Sequence, residues 1–401
     1  MKNFRIWWQA PRKYKEREEH RSVTFLELFY DLVYVVIIAE LAHSLSVDIN
    51  QSSLFIYTGL FIVVWWAWFN GALYHDLHGN NDIKTRIVTF LQMIAVAGMA
   101  VFAHSAIGEG SIGFGISYSA FLLIITYLWW RTGVHDPDHR PLSLPYSLTY
   151  LVATGLMIVS LFIEPPTRYY IWLVDLGIIL LLPLVFQFAG TRNAKMKKQI
   201  EVASSISSSM VERFGLLTII VLGEVIVGVV QGVAGHHHVT AGIIITGGLG
   251  MLVAIGVWWV YFDLVSSFKP KRGLLYEAGW LYLHLPLTIS IAAIGAAILN
   301  VVNHSGEGLP ENAKLLLVGA VGISFISIFL LLFVLDIPEI HMKINRTARR
   351  VTIIAGIAVL SMVFISLDTL PFLLILIALM LTPIIIGVKI WIKEEVKRRA
   401  Q

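Results

Sequence analysis

Apolar runs of about 20 residues recur from end to end of this 401-residue chain, and each is long enough to cross a hydrocarbon core of about 30 Å. Hydrophobic residues make up 57% and charged residues only 14%, against roughly 25% charged in soluble domains. Too little polar surface is available to wrap a water-soluble globule. In lipid every backbone N–H and C=O must be satisfied internally, which leaves helices and closed barrels. The runs are too long and too evenly apolar for the alternating strands of a barrel. The sequence therefore predicts an all-α polytopic membrane protein. Hydropathy places about twelve transmembrane helices near 24–45, 54–75, 84–106, 112–133, 144–163, 168–189, 210–231, 240–265, 275–301, 313–336, 349–367 and 370–391.

Charge tests that number. With Met1 in the cytoplasm and the chain alternating, only Arg168 and Lys314 of the 30 Lys and Arg fall outside. This is the asymmetry of the positive-inside rule, and one missed or extra span would spoil it. Both termini are thus expected in the cytoplasm, in a bacterial cytoplasmic membrane. The net charge of +4 is spread over short loops and not gathered on one face, so no nucleic acid is expected as a partner. The bilayer is the expected partner, with a small ion or solute beside it, and no oligomeric state follows. Cysteine is absent, which removes disulfides and thiolate metal sites; no metal and no cofactor is expected. Residues 1–21 hold Trp7 and Trp8 among charges and read as an interfacial segment, not as a secretory signal.

Trp65-Trp66-Ala67-Trp68-Phe69-Asn70 returns 193 positions later as Trp258-Trp259-Val260-Tyr261-Phe262-Asp263. Gln92 on the third span aligns with His284 on the ninth, Glu27 with Glu212, and Glu40 with Glu224. Six spans is an even number, so both halves enter from the same side. The expectation is two parallel six-helix repeats related by an axis along the membrane normal. They would occupy 22–190 and 209–392, joined by a cytoplasmic linker at 191–208 and followed by a basic tail at 393–401.

The stretch from Glu27-Leu28-Phe29-Tyr30-Asp31-Leu32-Val33, together with Glu212-Arg213-Phe214-Gly215 and Leu222-Gly223-Glu224, resembles the bacterial low temperature requirement A family. The resemblance runs along nearly the whole chain. It implies a many-span membrane protein of a family named for a growth phenotype, and it supplies no biochemical activity. More loosely, Phe29-Tyr30-Asp31 is similar to the F-S-D motif of two-repeat potassium channels. Tyr30 replaces the serine, and Phe214-Gly215-Leu216 in the second half has no acid.

A charge near the bilayer centre costs about 2.5–3.5 kcal/mol on insertion scales, so each intramembrane acid is a candidate for function. Asp31 lies roughly 10 Å along the first span and Glu224 about 20 Å along the seventh, at 1.5 Å per residue. Glu27, Asp31 and Tyr34 share one helix face. The two acids could hold one proton or a cation together, or be answered by Arg21 or Arg213 and brace helices. Glu27 and Glu212 are expected near the inner interface, within reach of water. Glu40 sits half a turn round from Asp31, in the outer half of the span. Gly223 and Gly228 flank Glu224 and invite a close helix approach. Asn70 and Asp263, with Trp65, Trp66, Trp258 and Trp259, would line an inner vestibule or form an interfacial belt. Gln92 and His284 are expected to hydrogen-bond between helices, and Pro286 to kink the ninth. Arg213 would balance Glu27 or snorkel. Asp175 reads as interfacial, and His135-Asp136-Pro137-Asp138-His139 as an extended turn.

No G-x-x-x-x-G-K-[ST], H-E-x-x-H or G-x-S-x-G motif occurs, which removes the chemistries those motifs carry. The expected function is a channel or secondary transporter, not an enzyme, for a proton, cation or small solute. Asp31, Glu40, Glu224, Glu27, Asp263 and Asn70 would form its path. A non-transporting structural or regulatory protein and a lipid-modifying enzyme are the alternatives.

Overall fold

A computed structural model describes residues 9–13, 16, 21–190, 197, 200, 205–338 and 342–399. Trp7 and Trp8 lie outside the described residues, as do most of the 191–208 linker and the end of the basic tail.

Among the described residues, twelve long helices and no strand are present. They are α1 (Phe25–Val47), α2 (Gln51–His78), α3 (Ile83–Ala103), α4 (Ser111–His135), α5 (Arg140–Ser160) and α6 (Thr167–Gly190). α7 (Ser208–Ala234), α8 (Ala241–Leu264), α9 (Leu274–Asn303), α10 (Glu311–Val334), α11 (Met342–Ser361) and α12 (Thr369–Arg399) follow. Ten of them are long and apolar enough to cross a membrane, counted over the described residues.

Caps decide where the helices begin. Thr24 and Glu27 form a capping box: Thr24 N–H donates to Glu27 Oε2 at 2.9 Å and Glu27 N–H to Thr24 Oγ1 at 3.4 Å, satisfying two donors that a helix start leaves open. Asp82 and Thr240 accept from Thr85 and Ile243 at the starts of α3 and α8. α5 begins four residues earlier than hydropathy indicates, at Arg140-Pro141, because proline suits the first turn of a helix. The turn before it is tight where an extended one is expected: His139 N–H donates to the Asp136 carbonyl at 3.0 Å, with Pro137 at the position that its fixed φ favours. At the far end of α5, Arg168 donates to the Ser160 and Ile163 carbonyls at 3.2 and 3.1 Å. One of the two Lys/Arg expected outside thus closes a helix C-terminus.

Contacts divide the chain into two compact units, Met1–Leu41 with Gly59–Arg213, and Ala42–Thr58 with Phe214–Gln401. In the first, α4 packs on α3 and α5, and α5 on α6. Asp175 of α6, expected at the interface, is buried there. In the second, α9 packs on α10, α10 on α11, α11 on α12, and α8 on α12 and α9. Among the ten spanning helices α9 is the most enclosed, and it continues through Pro286 without a break. Its Gly295 lies against α7: a Cβ there would come within 2.7 Å of the Glu224 carbonyl oxygen, and one on Gly228 would collide with the Gly295 carbonyl. Only glycine at both places allows that crossing.

Candidate functional site

In the first unit α1 turns Glu27, Tyr30, Asp31 and Tyr34 to one buried face, as their spacing requires. Arg213, at the start of α7, has no exposed surface and pairs with Asp31. Its Nη2 and Nε both donate to the Asp31 carboxylate, the second at 3.1 Å. Trp68 Nε1 donates to Asp31 Oδ1 at 2.8 Å. Three donors therefore converge on one carboxylate. The same guanidinium donates to the Ala72 carbonyl at 3.3 Å and stands 3.8 Å from Glu27 Oε1. It also lies over the rings of Tyr30 and Trp68, 5.7 and 5.9 Å from their centres, close enough for cation–π attraction.

Glu27 has its own partner. Arg21 Nη1 and Nη2 donate to its two oxygens at 2.8 and 2.5 Å, the bidentate fork that guanidinium geometry favours. Burial alone would lower the Arg21 pKa, but the hydrogen bonds and charge of Glu27 outweigh it and raise the value. Arg21, Glu27, Arg213 and Asp31 together carry no net charge. That neutrality lets the cluster sit inside an apolar bundle.

The cluster changes several expectations. Glu27 is buried and paired instead of bathed at the interface, whereas Glu212 is exposed. Both acids are answered by arginine, Asp31 by Arg213 and Glu27 by Arg21, with Arg213 3.8 Å away. Arg213 does not snorkel, since its charge is answered where it stands. Glu40 is half-buried on another face of α1 and has no hydrogen-bond or ion-pair partner among the described residues.

Further polar residues surround this cluster that the sequence did not single out. Asp76, near the end of α2, is buried and accepts from Ser207 and Ser209 at 2.7 and 2.6 Å. His75 bonds the Gly71 carbonyl at 2.7 Å and Thr89 Oγ1 at 2.8 Å. Gly71 is needed because any Cβ would strike the Tyr30 hydroxyl. Tyr30 and Tyr34 share a 2.8 Å hydrogen bond. The stretch 9–13 lies across the ends of these helices: Arg12 Nη2 donates to the Asp76 carbonyl at 2.6 Å, and Gln9 N–H to Asp82 Oδ2 at 3.0 Å. His139, just before α5, is buried, which lowers its pKa to about 4 against the raising effect of Asp136.

Asn70 is not at an open mouth. It accepts from the Tyr150 hydroxyl and donates to the Trp66 carbonyl at 2.8 Å, among the buried Trp65, Trp66 and Phe69. Gln92 is buried too, and its amide has no hydrogen-bond partner among the described residues, contrary to the expected interhelical bond.

In the second unit His284 does make that bond, with its Nε2 3.1 Å from the Tyr261 hydroxyl and its Nδ1 2.7 Å from the Trp280 carbonyl. Glu224 is buried beside the Gly228–Gly295 crossing, whereas Gly223 faces open space. Asp263 is exposed and accepts from Trp259 Nε1 at 2.7 Å. Both line a cavity of about 380 Å³ with Asn345, Pro383 and Trp391, while Trp258 stands outside it. No group of three or more His, Cys, Asp or Glu suited to a metal occurs among the described residues.

A family model described as "Bacterial low temperature requirement A protein (LtrA)" matches residues 22–386. The chain is also similar to an uncharacterized protein of Rhizobium meliloti (strain 1021), 25% identical over 300 residues that cover 70% of each chain.

Proposed function

The chain belongs to the bacterial low temperature requirement A family, and on that premise we propose that this many-helix membrane protein is a channel or secondary transporter, not an enzyme, for a proton, cation or small solute. The Asp31–Arg213 pair, buried and formed between α1 and α7, carries the reading. Packing alone does not call for such a pair, because apolar residues of similar volume often serve as well or better. A proton or cation arriving at Asp31 competes with Arg213 for the same oxygens. Ligand binding and the pairing of α1 with α7 are then linked, which is the coupling a gate or carrier needs. Glu224, Glu40 and Asp263 are the further path residues. Two parallel repeats, with both termini in the cytoplasm of a bacterial cytoplasmic membrane, complete the proposal; the distribution of Lys and Arg supports that sidedness.

The full occupancy of Asp31 by three donors favours a second reading, a fixed brace in a non-transporting structural or regulatory protein. Flux separates the two. Purified protein in liposomes is assayed for proton and potassium movement beside Glu224→Gln and the double variant Asp31→Asn with Arg213→Gln, which removes both charges and leaves none buried alone. Transport predicts flux in the parent and its loss in the double variant. A folded parent without flux of either ion would move the weight to the brace.

A further inference from the structure

The cavity of the second unit is built from helix ends that meet at one level. Asp263 and Trp259 come from the end of α8, Leu332 from the end of α10, Asn345 from the start of α11, and Pro383 and Trp391 from the second half of α12. In an alternating chain these ends share one membrane face, the one that the loop charges predict to be cytoplasmic. At about 380 Å³ the cavity is within the roughly 300–1,000 Å³ range of small-molecule sites, which are mostly apolar with a few placed polar groups.

Its polar lining includes two acceptors with capacity to spare. Asp263 accepts only the indole N–H of Trp259 and has no cationic partner among the described residues. Asn345 Oδ1 is buried and has no hydrogen-bond partner there either. Lys271 Nζ donates to the Phe333 carbonyl at 2.9 Å, and Arg349 lies 4.5 Å over the Phe333 ring. A carboxylate and an amide oxygen can take further donors, and Trp259 and Trp391 line the cavity with indoles, the rings that attract a cation best. The remaining walls, Phe268, Leu332 and Ile384 among them, suit a hydrocarbon body.

The geometry points to a binding site for a primary alkylammonium group in this cavity, whether from a free amine or from the amine of a phospholipid headgroup. An ammonium with three N–H donors satisfies Asp263 and Asn345 together. A trimethylammonium headgroup has no N–H and satisfies neither. The site stands on its own geometry and does not depend on the transport proposal, because it is read by equilibrium binding and not by flux.

The test measures binding of radiolabelled hexylammonium to the full-length protein in phosphatidylcholine nanodiscs, with empty discs subtracted. The parent is expected to bind. Asp263→Asn and Asn345→Leu are each expected to weaken binding about tenfold or more, as loss of a hydrogen bond to a charged group does. Asp263→Glu should retain binding, which separates lost charge from lost fold, and Trp258→Leu, outside the cavity, should leave it unchanged. Repeating the measurement with phosphatidylethanolamine in the discs identifies the source. Suppressed binding of the free amine means that the headgroup occupies the site, and unaltered binding means a soluble amine. No binding by the parent, or equal binding by a monodisperse Asp263→Asn protein, would overturn the inference.

Discussion

The two copies of the aromatic box occupy corresponding helices but have different surroundings. Trp65 and Trp66 of the first copy are 2% and 3% exposed, and Trp258 and Trp259 of the second are 45% and 38% exposed. The fourth position is buried in both, yet Trp68 donates to a carboxylate held by Arg213 while Tyr261 bonds the imidazole of His284. The sixth is a buried amide in one and an exposed acid in the other. Similar sequence conserves where a ring sits along a helix. What it faces depends on which neighbours complete the packing: at the fourth position the first unit supplies a carboxylate paired with an arginine and the second an imidazole.

Charge is therefore where the copies should diverge most under mutation. Removing the Asp31 carboxylate as Asp31→Ala leaves Arg213 buried without its partner, which costs about 3–5 kcal/mol when a buried pair is broken from one side. Neutralising both, as Asp31→Asn with Arg213→Met, should restore most of that, because the unanswered charge is gone. Unfolding by SDS in bicelles gives both values. If the double variant were as unstable as the single one, the cost would lie in packing around Trp68 and Tyr30, and the contrast between units would not be electrostatic.

The indoles themselves sharpen the comparison. Trp65→Ala should cost about 3–5 kcal/mol, as emptying a packed aromatic site does. Trp258→Ala should cost about 1 kcal/mol or less, as at other exposed positions. Equal losses would mean that the second box is also covered, by another part of the assembly. The same assay in bicelles reports both.

What could be read in advance follows from the range of each interaction. Spans are local, set by apolar length, and the expected and observed helices agree within a few residues except at the end of α12, which runs on to Arg399, and at α11. There the basic turn around Arg346 to Arg350 starts the helix seven residues before hydropathy does, because a helix end in water needs no apolar residues. The partners of Glu27 and Asp31 were also legible as Arg21 and Arg213, since few cations fall at that depth. The Thr24-x-x-Glu27 capping box is equally local, four residues that fix the start of α1. The Trp68 bond to Asp31 depends on how α2 is rotated, and the bond from Tyr150 to Asn70 joins residues 80 apart; neither leaves a pattern in a single chain. The cavity gathers Asp263, Asn345 and Trp391 from three helices, so its polar groups appear unrelated until they are folded together.

The smallest expected difference tests the fourth position alone. Trp68→Phe keeps a ring and deletes one donor to a charged acceptor, a loss of about 1.5–3 kcal/mol for hydrogen bonds to charged groups. Tyr261→Phe deletes a neutral bond between helices, and such bonds average about 0.6 kcal/mol in a membrane bundle. Both changes keep an aromatic ring, and the volume that Trp68→Phe also removes from its buried site is the same with or without the charge on Asp31, so a change of background isolates that charge. In the background of Asp31→Asn with Arg213→Met the acceptor is no longer charged, and Trp68→Phe should fall to the scale of Tyr261→Phe. Were it to stay large there, the indole of Trp68 would be stabilising the first unit by its shape and not by its N–H.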